Sequence, residues 1–278
     1  MNDIPKKPEC LLTIDLEEWY HGAYPGYSYG MISSKISRIV PATEMILEVL
    51  GQFGATATFF VLGDVAKSHP ELVCTIFKNG HEIASHGFSH TLISGLGKEN
   101  FGKDVAQSLE TIGSLIGCQP MGYRAPNFSL HLQKTPWAFE ILGKLGFEYD
   151  SSIFPAIMYY GGAIRASRFI SQVEGMEEFP VSCFGISRIC FSGGFYFRAF
   201  PKWLIDNGIQ SYLKREQTPI LYLHPKDIDP ETPKLPLGVI NNFAHRHSCK
   251  TALDKLLHFV EKYRFISIQE YREQAISK

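Results

Sequence analysis

Hydrophobic and polar positions alternate with a period of two early in the chain, where Leu12, Ile14 and Leu16 interleave with Thr13, Asp15 and Glu17. That is the pattern of a strand with one packed face. The period then changes. Ile46, Val49, Leu50 and Phe53 recur at i, i+3, i+4 and i+7 between Pro41 and Gly54, which predicts a helix opened by proline and closed by glycine. A second strand is predicted over Ala55–Leu62, then a helix from Pro70 that buries Leu72, Ile76 and Phe77 and stops at Gly80. A third strand runs into His86, and the next helix carries Val105, Leu109, Ile112 and Ile116 on one face. A short strand around Met121–Arg124 precedes a helix from about Pro136 to Leu145, followed by a strand at Phe147–Asp150. Between Ser151 and Gly194 the pattern weakens, with one strand expected at Glu178–Val181. The remainder reads as a helix from Pro201, a strand at Pro219–His224, a helix over about Lys250–Tyr263 and a last strand at Phe265–Ile268.

Repeated strand–helix units predict a parallel sheet covered by helices. About seven or eight such units in one chain favour a distorted (β/α)7–8 TIM-like barrel over an open doubly wound α/β sheet. The open sheet would carry a glycine-rich turn after its first strand, and Glu18–Tyr24 holds Gly22 alone. At 278 residues the chain is expected to be a single catalytic domain, 1–278.

Charge narrows the partners. A net charge of −1 gives no electrostatic reason to expect nucleic acid, and no stretch approaches the roughly 18 apolar residues of a spanning helix. The six cysteines are scattered, with no Cys-x-x-Cys pair, which fits reduced thiols better than a disulfide framework or a zinc knuckle. The first eight residues hold no apolar segment, so a cytoplasmic protein is expected.

The polar residues with chemical potential fall at the ends of the predicted strands: Asp15 and Glu17, His86, Arg124, Asp150 and His224. In a parallel barrel those ends form one rim, where reactive groups gather. Asp15 and Glu17 share the face opposite Leu12, Ile14 and Leu16, so both are expected to point into the barrel mouth, and Glu18 away from it. Ser85-His86-Gly87-Phe88-Ser89-His90 places two imidazoles four residues apart on a turn that Gly87 permits. Glu17, His86 and His90 would then form a two-histidine, one-carboxylate set that leaves a coordination position open on a divalent metal. Zinc is the first choice, with cobalt, nickel, manganese or iron as alternatives. Asp15 is placed to take a proton from a metal-activated water, Arg124 to hold Asp15 ionised, and His224 to protonate a leaving amine. His81-Glu82-Ile83-Ala84-Ser85 superficially matches a zincin motif, but its second histidine is replaced by Ser85 and it reads as a strand, so it is assigned a structural role.

These segments, in this order, resemble the polysaccharide deacetylase (NodB homology) family, carbohydrate esterase family 4. Thr13-Ile14-Asp15-Leu16-Glu17, Ser85–His90, Gly122-Tyr123-Arg124-Ala125-Pro126, Tyr149-Asp150-Ser151-Ser152 and Leu221-Tyr222-Leu223-His224-Pro225 are similar to its five motifs. Asp15-Leu16-Glu17-Glu18-Trp19-Tyr20, Ser192–Arg198 and His224–Pro230 are similar to a subgroup associated with bacterial exopolysaccharide loci. The resemblance implies metal-dependent hydrolysis of an N-acetyl group on an amino sugar, with Asp15 as base, His224 as acid and Asp150 orienting His224. It also implies that Trp19, Tyr123 and Pro126 lie at the substrate, with Tyr20 and Phe128 as further stacking candidates. The expected partner is an N-acetylated sugar, polymeric, oligomeric or nucleotide- or lipid-linked, with membrane contact limited to peripheral access to a lipid-linked form. Most of the family has adjacent aspartates where this chain has Asp15 and Glu17. That departure keeps open a cyclic amide hydrolase on the same fold, and a catalytically inactive sugar-binding relative is a further alternative. A non-haem iron oxygenase uses a similar ligand set, but its carboxylate usually follows the first histidine closely.

Overall fold

The computed structural model describes residues 7–22, 24, 27, 29–32, 35–156 and 162–277; the first six residues, on which part of the cytoplasmic expectation rests, lie outside them. Nine strands form one curled sheet: β1 (Glu9–Leu16), β2 (Thr58–Val61), β3 (Glu82–Ser85), β4 (Gly122–Tyr123), β5 (Tyr149–Asp150), β6 (Ser171–Val173), β7 (Met176–Glu178), β8 (Ile220–Leu223) and β9 (Arg264–Ile266). Their order is β6-β7-β5-β4-β3-β2-β1-β8, with β9 pairing the foot of β1. All pairings are parallel except the β6–β7 hairpin, whose turn uses two positive φ angles, at Glu174 and Gly175. The distorted barrel closes through irregular backbone. Ser182 donates to the Ile220 carbonyl at 3.1 Å and Tyr222 to the Ser192 carbonyl at 3.0 Å, filling the gap between β7 and β8. A Cβ on Gly193 would sit 2.0 Å from the Tyr222 carbonyl oxygen, so this close approach requires glycine.

Period-two alternation decides the two faces of the sheet. Leu12, Ile14, Leu16, Phe59 and Val61 pack outward with Ile46, Leu50, Leu256 and Phe259 of the helices Ile39–Gln52 and Cys249–Lys262. Leu11, Phe60, Ala84, Tyr149 and Ile220 fill the interior. Parallel pairing also aligns the strand ends: Glu17, His86, Arg124, Ser151 and His224 each follow the last residue of their strand. The functional rim therefore comes from topology.

Several boundaries differ from the expectation. The strand predicted at Glu178–Val181 begins earlier, as β7, because Met176 and Val173 turn inward onto a core cluster beneath the hairpin. The last strand ends at Ile266, and Ser267 caps a helix over Ile268–Ile276 by accepting from the Glu270 amide at 3.0 Å. The short helices Gly63–Ser68 and Val239–Arg246 have no counterpart in the sequence reading. Among the described residues, no helix is long and apolar enough to cross a membrane.

Candidate active site

Glu17, His86 and His90 converge, with ligand atoms all within 4.8 Å of one another and all three side chains buried. Glu17 Oε2 lies 2.5 Å from His90 Nε2 and 4.0 Å from His86 Nε2. A tetrahedral ion with bonds of about 2.0–2.1 Å separates its ligands by roughly 3.4 Å, so small side-chain adjustments bring the three into range. The tautomer suits a ligand as well. His86 Nδ1–H donates to the Arg124 carbonyl at 2.8 Å, which leaves the Nε2 lone pair facing the other two groups. Burial pushes the His86 imidazolium down to about 4, so the ring is neutral at physiological pH. Glu17 is ionised: burial pushes its carboxyl up, but the charge and hydrogen bond of His90, with His224 and His86, carry it well below the carboxylate range. Glu18 turns away and accepts the Arg38 amide at 3.2 Å.

The turn between the histidines is fixed from outside. Gly87 has φ of +74° and His90 +54°, and the Asp104 carboxylate accepts the Phe88 and Ser89 amides at 2.7 and 3.1 Å. His21, in the short helical turn Trp19–His21, stacks on His90 with centroids 5.2 Å apart and planes 17° off parallel. Sequence reasoning missed both supports. Asp104 lies on a helix far from any motif, and His21 follows a strand end whose local pattern gives no signal.

Asp15 accepts from Arg124 Nη1 at 2.6 Å. Arg124 is fully buried and spends its other donors on Thr13 Oγ1, the Ser151 carbonyl and Ser151 Oγ, while its guanidinium lies 4.1 Å above the Phe60 ring. An arginine with four of its five N–H donors committed holds the Asp15 carboxylate in one orientation.

Across the mouth, His224 Nε2 lies 3.8 Å from both Asp15 Oδ2 and Glu17 Oε1. Its Nδ1 is 2.8 Å from Asp227 Oδ2, and Asp227 Oδ1 accepts from Arg198 Nε at 2.8 Å. Burial pushes the imidazolium down, but the Asp227 charge and hydrogen bond outweigh it, so His224 is held above its usual value. The orienting carboxylate is therefore Asp227, not Asp150. Asp150 is engaged elsewhere: it accepts from Ser152 Oγ at 2.6 Å and the Ser152 amide at 3.0 Å. With Glu178 it forms a fully buried pair whose pKa values are both raised, chiefly by burial, so a proton is shared between them.

Asp15, Glu17, His86 and His224 line one cleft of about 150 Å³ together with Gly22, Tyr24, Asn127, Phe128, Tyr222 and Lys226. Asn127 and Phe128 adopt consecutive left-handed conformations, φ 53° and 52°, strain of a kind that collects at functional sites. The expected sugar-facing residues need three corrections. Tyr123 is buried among Phe101 and Phe147, because it lies on the outward face of β4. Trp19 lines a separate groove with Met31, Ile36 and Leu235, its Nε1 donating to the Ile36 carbonyl at 2.9 Å. Pro126 is buried at the start of a short turn; the next two residues, Asn127 and Phe128, reach the cleft instead.

Comparison with known proteins matches residues 33–149 to the family model for polysaccharide deacetylases, and residues 151–273 to a domain of unknown function (DUF3473). A peptidoglycan-N-acetylglucosamine deacetylase of Bacillus cereus is 31% identical over 98 residues, 35% of this chain and 36% of the relative. A chitooligosaccharide deacetylase of Sinorhizobium fredii is 34% identical over 70 residues, 25% of this chain and 33% of the relative. The matched stretch thus spans about a third of each relative's length. The crystal structure of a Mycobacterium smegmatis protein described as a polysaccharide deacetylase superposes with a TM-score of 0.64, at 20% identity, over 100% of this chain and 93% of its own. Peptidoglycan deacetylase PdaC from Bacillus subtilis gives 0.53 at 16% identity over 98% and 92%.

Proposed function

We propose that this chain, whose residues 33–149 match the polysaccharide deacetylase family, is a single-domain, metal-dependent hydrolase that removes the N-acetyl group of an amino sugar. The observation that carries the reading is the common cleft: a buried carboxylate held by Arg124, the Glu17 and His86 members of the Glu17–His86–His90 set and a histidine backed by Asp227 all face one small volume.

In this mechanism Glu17, His86 and His90 would hold a divalent cation, zinc first, which would supply Lewis acidity at the amide and activate water. Asp15, held in place by Arg124, accepts the proton that the water loses. The water oxygen bonds to the acetyl carbon, the C–N bond breaks, and the amine nitrogen takes its proton from His224 Nε2. Asp227 on Nδ1 favours the imidazolium that donates. Acetate and a free amine leave. Two oriented proton carriers, Asp15 and His224, beside the ligand set favour acetyl hydrolysis over passive sugar binding.

Six free cysteines support a reducing compartment, where the substrate would be a nucleotide-linked, lipid-linked or short oligosaccharide precursor of an exopolysaccharide. The test is acetate release from N-acetylated sugars by zinc-loaded protein. We expect turnover that chelation abolishes and zinc restores, and that Asp15→Asn and His224→Ala each lower by at least about 10²-fold. A folded, zinc-loaded protein that releases no acetate from any such sugar overturns the reading; full activity after exhaustive chelation replaces it with a metal-free cyclic amide hydrolase.

A further inference from the structure

Two buried guanidinium groups stand behind the cleft, and each meets a carboxylate: Arg124 faces Asp15 at 2.6 Å and Arg198 faces Asp227 at 2.8 Å. Lys226 does not. Its side chain is 9% exposed, lines the same cleft, and has no hydrogen-bond or ion-pair partner among the described residues. Its Nζ stands 3.6 Å from the position a Cβ on Gly22 would take, close by the ring of Tyr24. The tight approach at Gly22 is to the Tyr24 ring, 2.9 Å from that position, so glycine here lets Tyr24 close over the same wall of the cleft as Lys226. Burial pushes the ammonium down, but Tyr24, Asp227 and Glu17 outweigh it and hold Lys226 above its usual value, so the group is charged.

The stem of Lys226 is covered, while its ammonium, unpaired by any described side chain, reaches the water of the cleft, where an arriving anionic group would meet it. Charge counting favours such a group. Asp15 offsets Arg124 and Asp227 offsets Arg198; the His224 imidazolium and a divalent cation beside Glu17 would exceed that one remaining carboxylate, and Lys226 adds further positive charge. A neutral acetamido sugar leaves this excess unanswered. Lys226 lines the same small cleft, about 150 Å³, as Asp15, Glu17 and His224, beside the place a reacting amide would take.

We propose that Lys226 is a specificity-determining residue that binds an anionic oxygen group, carboxylate or phosphoryl, carried by the substrate beside its acetamido group. The inference rests on the deacetylase reading and sharpens it from any N-acetylated amino sugar to an acidic one.

Equilibrium binding by calorimetry tests it on the zinc-loaded chain, with N-acetylglucosamine 1-phosphate, N-acetylmuramic acid and the neutral methyl glycoside of N-acetylglucosamine as probes. Wild-type protein is expected to bind at least one acidic probe tenfold or more tighter than the neutral one; which acidic probe gains distinguishes phosphate from carboxylate. Lys226→Met is expected to lose that advantage, with the neutral probe changing by less than twofold, and Lys226→Arg to recover part of it. Equal affinities for all three probes in the wild type, or an equal loss for all three in Lys226→Met, overturns the proposal. Should Lys226→Met fail to fold, the wild-type ranking and its retention in Lys226→Arg decide. Acetate release measured on the same samples judges the deacetylase reading separately: acidic preference without acetate overturns that reading alone, and acetate without preference overturns this inference alone.

Discussion

Asp104 offers the sharpest test of how the metal set is held. Its carboxylate accepts two amides from the turn between His86 and His90, at 2.7 and 3.1 Å, while a Cβ on Gly87 would stand 3.0 Å from one of its oxygens. Hydrogen bonds to a charged acceptor contribute about 1.5–3 kcal/mol each. Asp104 is half-buried, so water replaces part of what Asp104→Ala removes, and a net loss of about 2–3 kcal/mol is expected. Because those bonds hold the turn rather than the sheet, much of the loss falls on the conformation that brings the two imidazoles together. At about 1.4 kcal/mol per tenfold, zinc affinity should fall by roughly 30- to 100-fold. Asp104→Asn keeps one acceptor oxygen and should lose about tenfold. Competition against a chelator of known affinity measures the series, with thermal melting in parallel. Zinc affinity within twofold of wild type in Asp104→Ala, in a folded protein, would refute the claim that this carboxylate positions the ligands.

Further outcomes follow from the buried charges. Asp227 raises the His224 pKa, so His224 contributes stability that is complete below its unfolded value near 6.5 and is lost as pH rises through the folded one; Asp227→Asn should remove that contribution, move the alkaline limb of the pH–rate profile downward and cut kcat at pH 8 by about 10²-fold, and an unmoved limb would contradict the acid role. Burial and Asp150 raise the Glu178 pKa, so its contribution is present below the unfolded value of about 4.5 and is lost as pH rises through the folded one. Glu178→Gln should flatten that decline and be more stable than wild type at pH 8 by urea unfolding; lower stability there would count against the shared proton. Zinc at a hundred times its Kd should stabilise the fold by about 2.7 kcal/mol, a gain expected to vanish in Glu17→Ala and with excess chelator, read as a melting shift.

Much of this site was legible because parallel strands put chemistry at predictable ends. The alternation of Leu12, Ile14 and Leu16 placed Asp15 and Glu17 inside, as observed. The same rule applied to β5 corrects the misplacement of Asp150: Tyr149 fills the interior with Phe60, so its neighbour points outward, away from His224. Asp227 was missed although it lies three residues after His224, where a helix opening at Pro225 brings its carboxylate back to the histidine. Trp19 was misplaced because the chain leaves the strand at Leu16 and turns through a short helix, so aromatic content near a motif did not translate into position. Irregular backbone sets the cleft walls at Gly22, Asn127 and Phe128, and irregular backbone has no period to read.

The position of β1 in the sheet has a consequence for when the protein can become active. Its three neighbours come from residues 58–61, 220–223 and 264–266, so the strand bearing Asp15, with Glu17 just past its end, is made early and completed late. During synthesis the first neighbour arrives within about fifty residues, yet two of the three neighbours wait for the last quarter of the chain. Until then β1 has an open edge and His224 is not yet in place. Such long-range pairing slows folding and ties the final step of assembly to the arrival of His224. Asp15 and His224 thus become juxtaposed in the same event that closes the fold.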